Sequence, residues 1–471
     1  MSGPLDLEPR RGQDDTLALR LAVPKRPAPP REPAGPVTLG LTPPGADGYD
    51  EAVSELAAEL ADRVGPAVHP YEVAALLEAD GLSADTIRRR YGHPDIFSLA
   101  AALYERVPRT FPEPPPAADP WRPDHLRCLL RGVLFALPAL AYLLTAPLWR
   151  PGQHAAALVT AGVLSWAWGQ ALGHRAYLRM AAGRREAART LLRGAPLGAA
   201  LATAAAAIPA QGSPVIWAAA AQSLYLAAAG VLLVLGREPL LLAALAPLAA
   251  GAAALPWWEP GPALRTGAVV TALAATAAAA GRALRTEYAG QGAAGEGAGP
   301  PLLRSLPYGL FGLAAALLVL LAGRREPYAV IVLTVSMGPA EWLLYRYRGL
   351  SAAALGASAT PAAFRLRSAG VLTLCLLGYA LPLLPAALFT GAGPATLPLL
   401  AATLWTALLL QAFEVAWPPA LICLAAAGTA GALTLSGPLP GPPVLPLCCA
   451  GAALCLTGCA LRLLGRPAAH A

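Results

Sequence analysis

Hydrophobic residues are distributed unevenly along the chain, and from about Arg127 onward they form one long apolar run after another. Each run is roughly 18 to 24 residues long, the length that a helix needs to cross about 30 Å of hydrocarbon. We therefore predict an all-α, polytopic membrane protein with about twelve transmembrane helices. The predicted spans are residues 128–148, 154–173, 195–211, 214–235, 239–258, 262–281, 303–322, 327–345, 368–391, 395–414, 418–436 and 442–461.

The first 126 residues follow three other patterns. Residues 1–49 mix proline, glycine and charge without periodicity, which predicts a disordered N-terminal tail. Residues 50–107 carry apolar positions at helical spacing, which predicts a small cytoplasmic helical domain. A domain of about 55 residues has only a small core, so we expect it to lean on the membrane domain or to bind a cytosolic protein partner. Residues 108–126 form a proline-rich linker.

Composition supports the membrane assignment, because 56% of the residues are hydrophobic and only 13% are charged, against about 25% charged in soluble proteins. The net charge is +7, but the arginines flank apolar runs and no basic cluster is interleaved with aromatic residues. Nucleic acid is therefore not an expected partner, whereas membrane lipids are. The arginine distribution predicts that both termini are cytoplasmic in a multi-pass plasma-membrane protein. The start of the chain has no secretory signal pattern.

Two landmarks indicate an internal repeat of the membrane part. Arg131 in the first span and Arg304 in the seventh lie 173 residues apart. The long basic loops after the second and eighth spans end at Arg193 and Arg367, which are 174 residues apart. We therefore predict two six-helix halves, residues 127–300 and 301–465, followed by a short cytoplasmic tail, 466–471. The alternative is that any Ala- and Leu-rich membrane chain aligns with itself by chance.

The basic segment after the second span has the sequence Gly183-Arg184-Arg185-Glu186-Ala187-Ala188-Arg189. It resembles the segment after the second helix in the multidrug/oligosaccharidyl-lipid/polysaccharide exporter superfamily, which includes polysaccharide flippases. The resemblance covers residues 127–465 in outline and 169–194 in character, while the N-terminal helical domain is not part of the family pattern. It implies a V-shaped pair of helix bundles that alternates access and moves a lipid-linked saccharide or related amphiphile outward.

Candidate site residues follow from the needs of such a substrate. A lipid-linked diphosphate requires cations facing the transport path, because an uncompensated phosphate in a low-dielectric space is costly. The candidates for substrate binding are Arg131, Arg304 and Arg265 for the phosphate, and Gln170, Gln222 and Gln411 for the sugar. Arg131 and Arg304 are alternatively interface anchors that reach the headgroups. Glu341 is the candidate for ion coupling.

The sequence offers little for catalysis. It has no Ser/His/Asp set, no paired histidine ligands and no glycine-rich phosphate cradle after a strand, so we expect neither an enzyme nor a bound cofactor or metal. Three hypotheses remain. The first is a flippase or exporter of a lipid-linked saccharide or related amphiphile. The second is a non-transporting membrane scaffold whose cytosolic helical domain recruits envelope-assembly partners, and the third is a small-molecule antiporter.

Overall fold

The structure is a computed structural model that describes residues 46–109, 121–289, 301–324, 326–390, 394–436 and 444–470. Every regular element in these ranges is helical. The chain divides into two compact units, and the described residues 46–109 belong to one and 121–470 to the other. The all-α prediction is therefore confirmed. Most of the predicted disordered tail and of the proline-rich linker lies outside the described residues.

The described residues of the smaller unit form five helices around their own apolar core, as the helical spacing of the sequence predicts. They are α1 (Ala46–Glu59), α2 (Ala61–Val64), α3 (Pro70–Ala79), α4 (Ala84–Tyr91) and α5 (Ile96–Arg106). Buried side chains from α1, α3, α4 and α5 form one cluster, in which Leu77, Leu99 and Leu103 are fully buried. Asp95 accepts a hydrogen bond from the Ser98 amide and so caps α5. The first helix begins four residues before the predicted domain boundary.

The described residues of the membrane unit form fourteen α-helices, α6 to α19. Their bounds are α6 His125–Ala136, α7 Ala139–Thr145, α8 Pro151–Met180, α9 Arg184–Ala210, α10 Val215–Val234, α11 Glu238–Ala254, α12 Pro262–Ala289, α13 Leu306–Gly323, α14 Pro327–Val335, α15 Met337–Gly356, α16 Pro361–Phe389, α17 Thr396–Ala412, α18 Trp417–Leu435 and α19 Val444–Leu464. Proline occupies one of the first positions of many of them, where its missing N–H costs no helical hydrogen bond.

Nine segments of the described chain are long and apolar enough to cross a membrane, and ten are if α14 and α15, which meet at 42°, form one bent span. Helices α6 and α7 together make one of the nine, His125–Leu148. Helices α11 and α17 coincide with two further predicted spans but have only 17 residues each. The protein is therefore a multi-pass helical membrane protein, and the number twelve stays a prediction.

Helix contacts fall into two groups with separate apolar cores. In the first group α8 contacts α9 and α10, α9 contacts α10 and α12, α10 contacts α11 and α12, α11 contacts α12, and α7 contacts α11 and α12. In the second group α15 contacts α16, α14 contacts α16 and α17, α16 contacts α17 and α19, α17 contacts α18 and α19, α18 contacts α19, and α13 contacts α14, α17, α18 and α19. The extensive contacts between the groups join α6 to α14 and α15, and α8 to α13.

Candidate functional site

Four charged side chains meet where α6, α11 and α15 come together, and we call them the α6 charge cluster: Arg127, Arg131, Glu238 and Glu341. Arg131 occupies its centre. One of its terminal nitrogens lies 3.0 Å from Glu238 Oε1, and the other donates to Glu341 Oε1. The terminal nitrogen of Arg127 lies 3.1 Å from the same Glu238 oxygen. A single guanidinium therefore links carboxylates from two different helices.

Three of the four side chains of the α6 charge cluster are shielded from solvent, and Arg127 is 29% exposed. Only 12% of the Arg131 side chain, 6% of that of Glu238 and 5% of that of Glu341 are exposed. An unpaired charge in such surroundings is expensive, so it is retained only with an opposite charge beside it. Two guanidiniums and two carboxylates make the cluster neutral as a whole, and this neutrality depends on all three helices staying together.

Local sequence explains why each charge points into the cluster. Arg127 and Arg131 are four residues apart, so they lie on one face of α6, and Asp124 fixes the start of that helix by accepting a hydrogen bond from the Arg127 amide. Glu238 is the first residue of α11. A carboxylate there is favoured by the positive end of the helix dipole. The tight turn before α11 uses Gly236 at a φ of 68°, a conformation that favours glycine.

Two glycines allow α6 and α15 to approach closely enough for Arg131 to reach Glu341. A methyl group added at Gly338 would lie 2.7 Å from the Cys128 carbonyl oxygen, and one at Gly132 would lie 3.1 Å from the Val335 carbonyl oxygen. Small residues at such crossings are the usual means by which membrane helices bring their backbones together. These glycines are thus as much a part of the site's geometry as its charges.

The helices on both sides of the contact between α6 and α15 are interrupted near that contact. Helix α6 ends at Ala136 and α7 starts at Ala139, while α14 gives way to α15 at Ser336. The Ser336 hydroxyl is satisfied there by the Leu333 carbonyl and by the Tyr379 hydroxyl, 2.9 Å away. Helices broken within the membrane are characteristic of transporter binding sites, where they line a cavity between repeats.

An apolar groove of about 230 Å³ lies between the interrupted helices. We call it the α6–α15 groove. Its lining includes Leu129, Val133, Ala136, Leu137, Val335 and Pro339. Leu129 lies two residues before Arg131 and Val133 two residues after it, and both side chains are exposed. The groove also includes Gly132, the residue after Arg131, but no side chain of the α6 charge cluster lines it.

The second junction, between α8 and α13, has a different chemistry. His174 is buried, and its Nδ1 lies 3.1 Å from the Ser305 hydroxyl. The imidazole stacks on the Tyr308 ring with centroids 3.7 Å apart. One turn earlier on α8, Gln170 packs against Gly312, where an added methyl group would lie 2.7 Å from the glutamine side chain. This junction is held by stacking and a neutral hydrogen bond instead of an ion pair.

The structure thus brings together some predicted site residues and separates others. Arg131 and Glu341 are partners, although the sequence assigned them separate roles, and Gln170 lies in the second junction. Arg304, by contrast, is exposed and has no ion pair with any described residue. Arg265, near the start of α12, donates to the Pro260 carbonyl at 2.7 Å.

The other two predicted glutamines also lie away from the α6 charge cluster. Gln222 faces Gly162 of α8 inside the first group of helices. Its side-chain oxygen has no hydrogen-bond partner among the described residues. Gln411 is buried near the end of α17, and its amide nitrogen likewise lacks a described partner. Neither glutamine lies in one of the two junctions between the helix groups.

Sequence reasoning missed Glu238, which immediately precedes the predicted span 239–258. The available signal was a carboxylate directly after Arg237 at the first position of an apolar run. Within the described ranges no three His, Cys, Asp or Glu side chains lie close enough to hold a metal ion. Comparison with known proteins finds no matching family model, curated protein or solved structure.

Proposed function

We propose that this protein is a transporter that flips or exports an anionic amphiphile, such as a lipid-linked saccharide, across the plasma membrane by alternating access. The single observation that carries the proposal is Arg131, a buried arginine that binds Glu238 within its own group of helices and Glu341 in the other group. If the two groups of helices move apart, Arg131 loses Glu341 as a partner, and the net charge around Arg131 changes.

The pattern of helix contacts supports two halves that move as units. The helices of the membrane unit can be numbered from one to twelve. Helices α6 and α7 together are helix one, α8 is helix two, and α9 to α12 are helices three to six. In the second half α13 is helix seven, α14 and α15 together are helix eight, and α16 to α19 are helices nine to twelve. Every helix pair in contact within α6–α12 then has its counterpart within α13–α19. Between the groups, helix one contacts helix eight and helix seven contacts helix two. A twofold axis that exchanges the halves converts one of these contacts into the other, as expected for parallel repeats.

Separation of the halves turns the neutral charge cluster into an anion site. If α15 moves away with Glu341, the first half keeps two guanidiniums, Arg127 and Arg131, and one carboxylate, Glu238. The remaining net charge is positive, in a place where water is scarce and an anionic headgroup supplies the missing partner. A planar guanidinium also matches phosphate oxygens in a bidentate arrangement. Substrate phosphate and Glu341 are therefore competitors for Arg131.

The α6–α15 groove favours an amphiphile over a soluble anion. It is lined by aliphatic side chains and glycine on both helices, and three of its lining residues, Leu129, Gly132 and Val133, lie within two positions of Arg131 in the sequence of α6. A substrate whose phosphate meets Arg131 has space for its hydrocarbon chain in this groove, so the chain does not have to leave an apolar environment. A water-soluble anion has no hydrocarbon chain that could bind to such a surface.

The test is transbilayer movement of a fluorescent lipid-phosphate saccharide in proteoliposomes. Arg131→Ala is compared with Arg304→Ala, which removes an exposed arginine from the position related by the predicted repeat. We expect Arg131→Ala to slow movement at least about tenfold, since losing a charged hydrogen-bond partner costs about 1.5 to 3 kcal/mol, and Arg304→Ala to act within about twofold. Equal rates for Arg131→Ala and the wild-type protein contradict the proposal, and no movement by the wild-type protein favours the scaffold hypothesis.

A small-molecule antiporter is the second candidate, and it is favoured by the burial of Glu341 at the junction between the helix groups. A buried carboxylate that exchanges partners is the kind of group through which a proton gradient drives export. This candidate predicts dye export driven by a pH gradient, without lipid movement, and loss of that export in Glu341→Gln.

A further inference from the structure

Four arginines, one of them the residue directly before Glu238, converge on two neighbouring residues at the end of α12. Arg184 Nε lies 2.8 Å from one oxygen of Glu287, and the terminal nitrogen of Arg237 lies 3.2 Å from the other. The guanidinium carbons of Arg185 and Arg189 lie 5.0 and 5.7 Å from the centre of the Tyr288 ring. We call Arg184, Arg185, Arg189 and Arg237 the α9 arginine cluster.

The α9 arginine cluster carries more positive charge than its carboxylates neutralise. Glu287 serves both Arg184 and Arg237, and Glu186 pairs with Arg189. Four guanidiniums thus face two carboxylates. The Nε atom of Arg185 is inaccessible to solvent and has no hydrogen-bond partner among the described residues. In contrast to the neutral α6 charge cluster, this one has an excess of donors and of charge, and both favour an anion.

The cluster is accessible, and apolar surface continues from it. Arg184, Arg189 and Arg237 have side chains that are 54%, 36% and 45% exposed. Leu192 follows Arg185 and Arg189 at spacings of seven and three residues, so all three lie on one face of α9. The Leu192 side chain is 52% exposed. A cationic end followed by a lipid-facing apolar stripe matches the two parts of a phospholipid.

We propose that the α9 arginine cluster binds the headgroup phosphate of an anionic phospholipid whose acyl chain lies along α9 past Leu192. Arg185, which has no carboxylate partner among the described residues, is the first phosphate ligand, and Arg189, which pairs with Glu186 and lies over the same Tyr288 ring, is the second. The first backbone N–H groups of α9 point to the same end and have no side-chain cap from Gly183, which adds to the positive potential. This binding is independent of transport, so a protein that moves no substrate is still expected to bind the lipid.

The experiment measures binding of acyl-labelled phosphatidylglycerol and phosphatidylcholine to the purified full-length protein in detergent. An arginine near a membrane surface contributes roughly a factor of five in affinity for anionic lipid. We therefore expect Arg185→Gln/Arg189→Gln to bind phosphatidylglycerol about thirtyfold more weakly. The matched control Arg365→Gln/Arg367→Gln removes two exposed arginines from the start of α16, in the second helix group, and is expected to change affinity less than about twofold.

Two further arms make the result decisive. Arg185→Lys/Arg189→Lys keeps the charge and is expected to retain most of the binding, which separates loss of the site from misfolding. Excess inorganic phosphate is expected not to displace the lipid, because the acyl chain contributes to binding; displacement would identify a free-anion site and overturn the proposal. Equal affinity for the two phospholipids, or equal losses in the Gln variant and its control, would overturn it as well.

Discussion

Replacing Arg131 with methionine is expected to destabilise the protein strongly, because it leaves Glu238 and Glu341 buried together with only Arg127 to compensate them. Both carboxylates are almost inaccessible, with 6% and 5% of their side chains exposed. Removing one partner of a buried ion pair costs about 3–5 kcal/mol. The free energy of unfolding in mixed micelles should therefore fall by about that amount in Arg131→Met.

The second part of this test also replaces Glu341, the carboxylate that Arg131→Met leaves without a cationic partner. In Arg131→Met/Glu341→Gln the remaining Arg127–Glu238 pair is balanced, so we expect most of the lost stability to return and the two substitutions to be coupled by about 1–3 kcal/mol. Arg304→Met, which alters an exposed arginine, is the matched control and should change stability by less than about 0.5 kcal/mol. The reasoning is refuted if Arg131→Met is no less stable than Arg304→Met, or if the two substitutions at the cluster are simply additive.

Two further outcomes are expected. Gly338→Ala places a methyl group 2.7 Å from the Cys128 carbonyl oxygen and should lower the free energy of unfolding by about 1–3 kcal/mol. In the control Gly428→Ala the added methyl group meets no neighbour, so this variant should be as stable as the wild-type protein or more stable. Equal effects of the two substitutions would contradict the close contact between α6 and α15. Burial between Phe364 and Phe413 lowers the pKa of His470 below its ordinary 6.5, so its contribution to stability is complete above pH 6.5 and is lost as pH falls toward the lowered pKa. Thermal unfolding between about pH 7.5 and 5 should show this loss in the wild-type protein and less of it in His470→Gln.

The helical architecture followed directly from the sequence, because membrane helices must satisfy their own backbone and so appear as long apolar runs. Helix ends were less predictable, since α8 continues to Met180 beyond the predicted end at 173 and α9 begins at Arg184 instead of 195. The break at Ser336 is explained by Pro339, which has no N–H to donate to the Val335 carbonyl. Short helices such as α11 show the limit of counting by length, since a run of 17 residues is compatible with a span or with a buried helix.

The candidate site was predictable as separate residues but not as an arrangement. Arg131 and Glu341 were both singled out, yet their contact joins positions 210 residues apart, and no local pattern carries that information. The predicted internal repeat assigned Arg304 the same role as Arg131, binding of the substrate phosphate. The two differ because the glycine-mediated crossing with α15 encloses Arg131, whereas Arg304 lies on an exposed turn before α13. Burial, which decides what an arginine does, was not visible in the sequence.

The central claim is that the two helix groups move relative to one another during transport. It is tested most directly by locking the α8–α13 junction with a disulfide in His174→Cys/Ser305→Cys, whose native side chains are 3.1 Å apart. Transbilayer movement of the lipid-phosphate saccharide is then measured before oxidation, after oxidation and after reduction, with the oxidised wild-type protein as the control for the seven native cysteines. The account predicts that oxidation stops transport in the double variant alone and that reduction restores it. Undiminished transport with the junction cross-linked would contradict it.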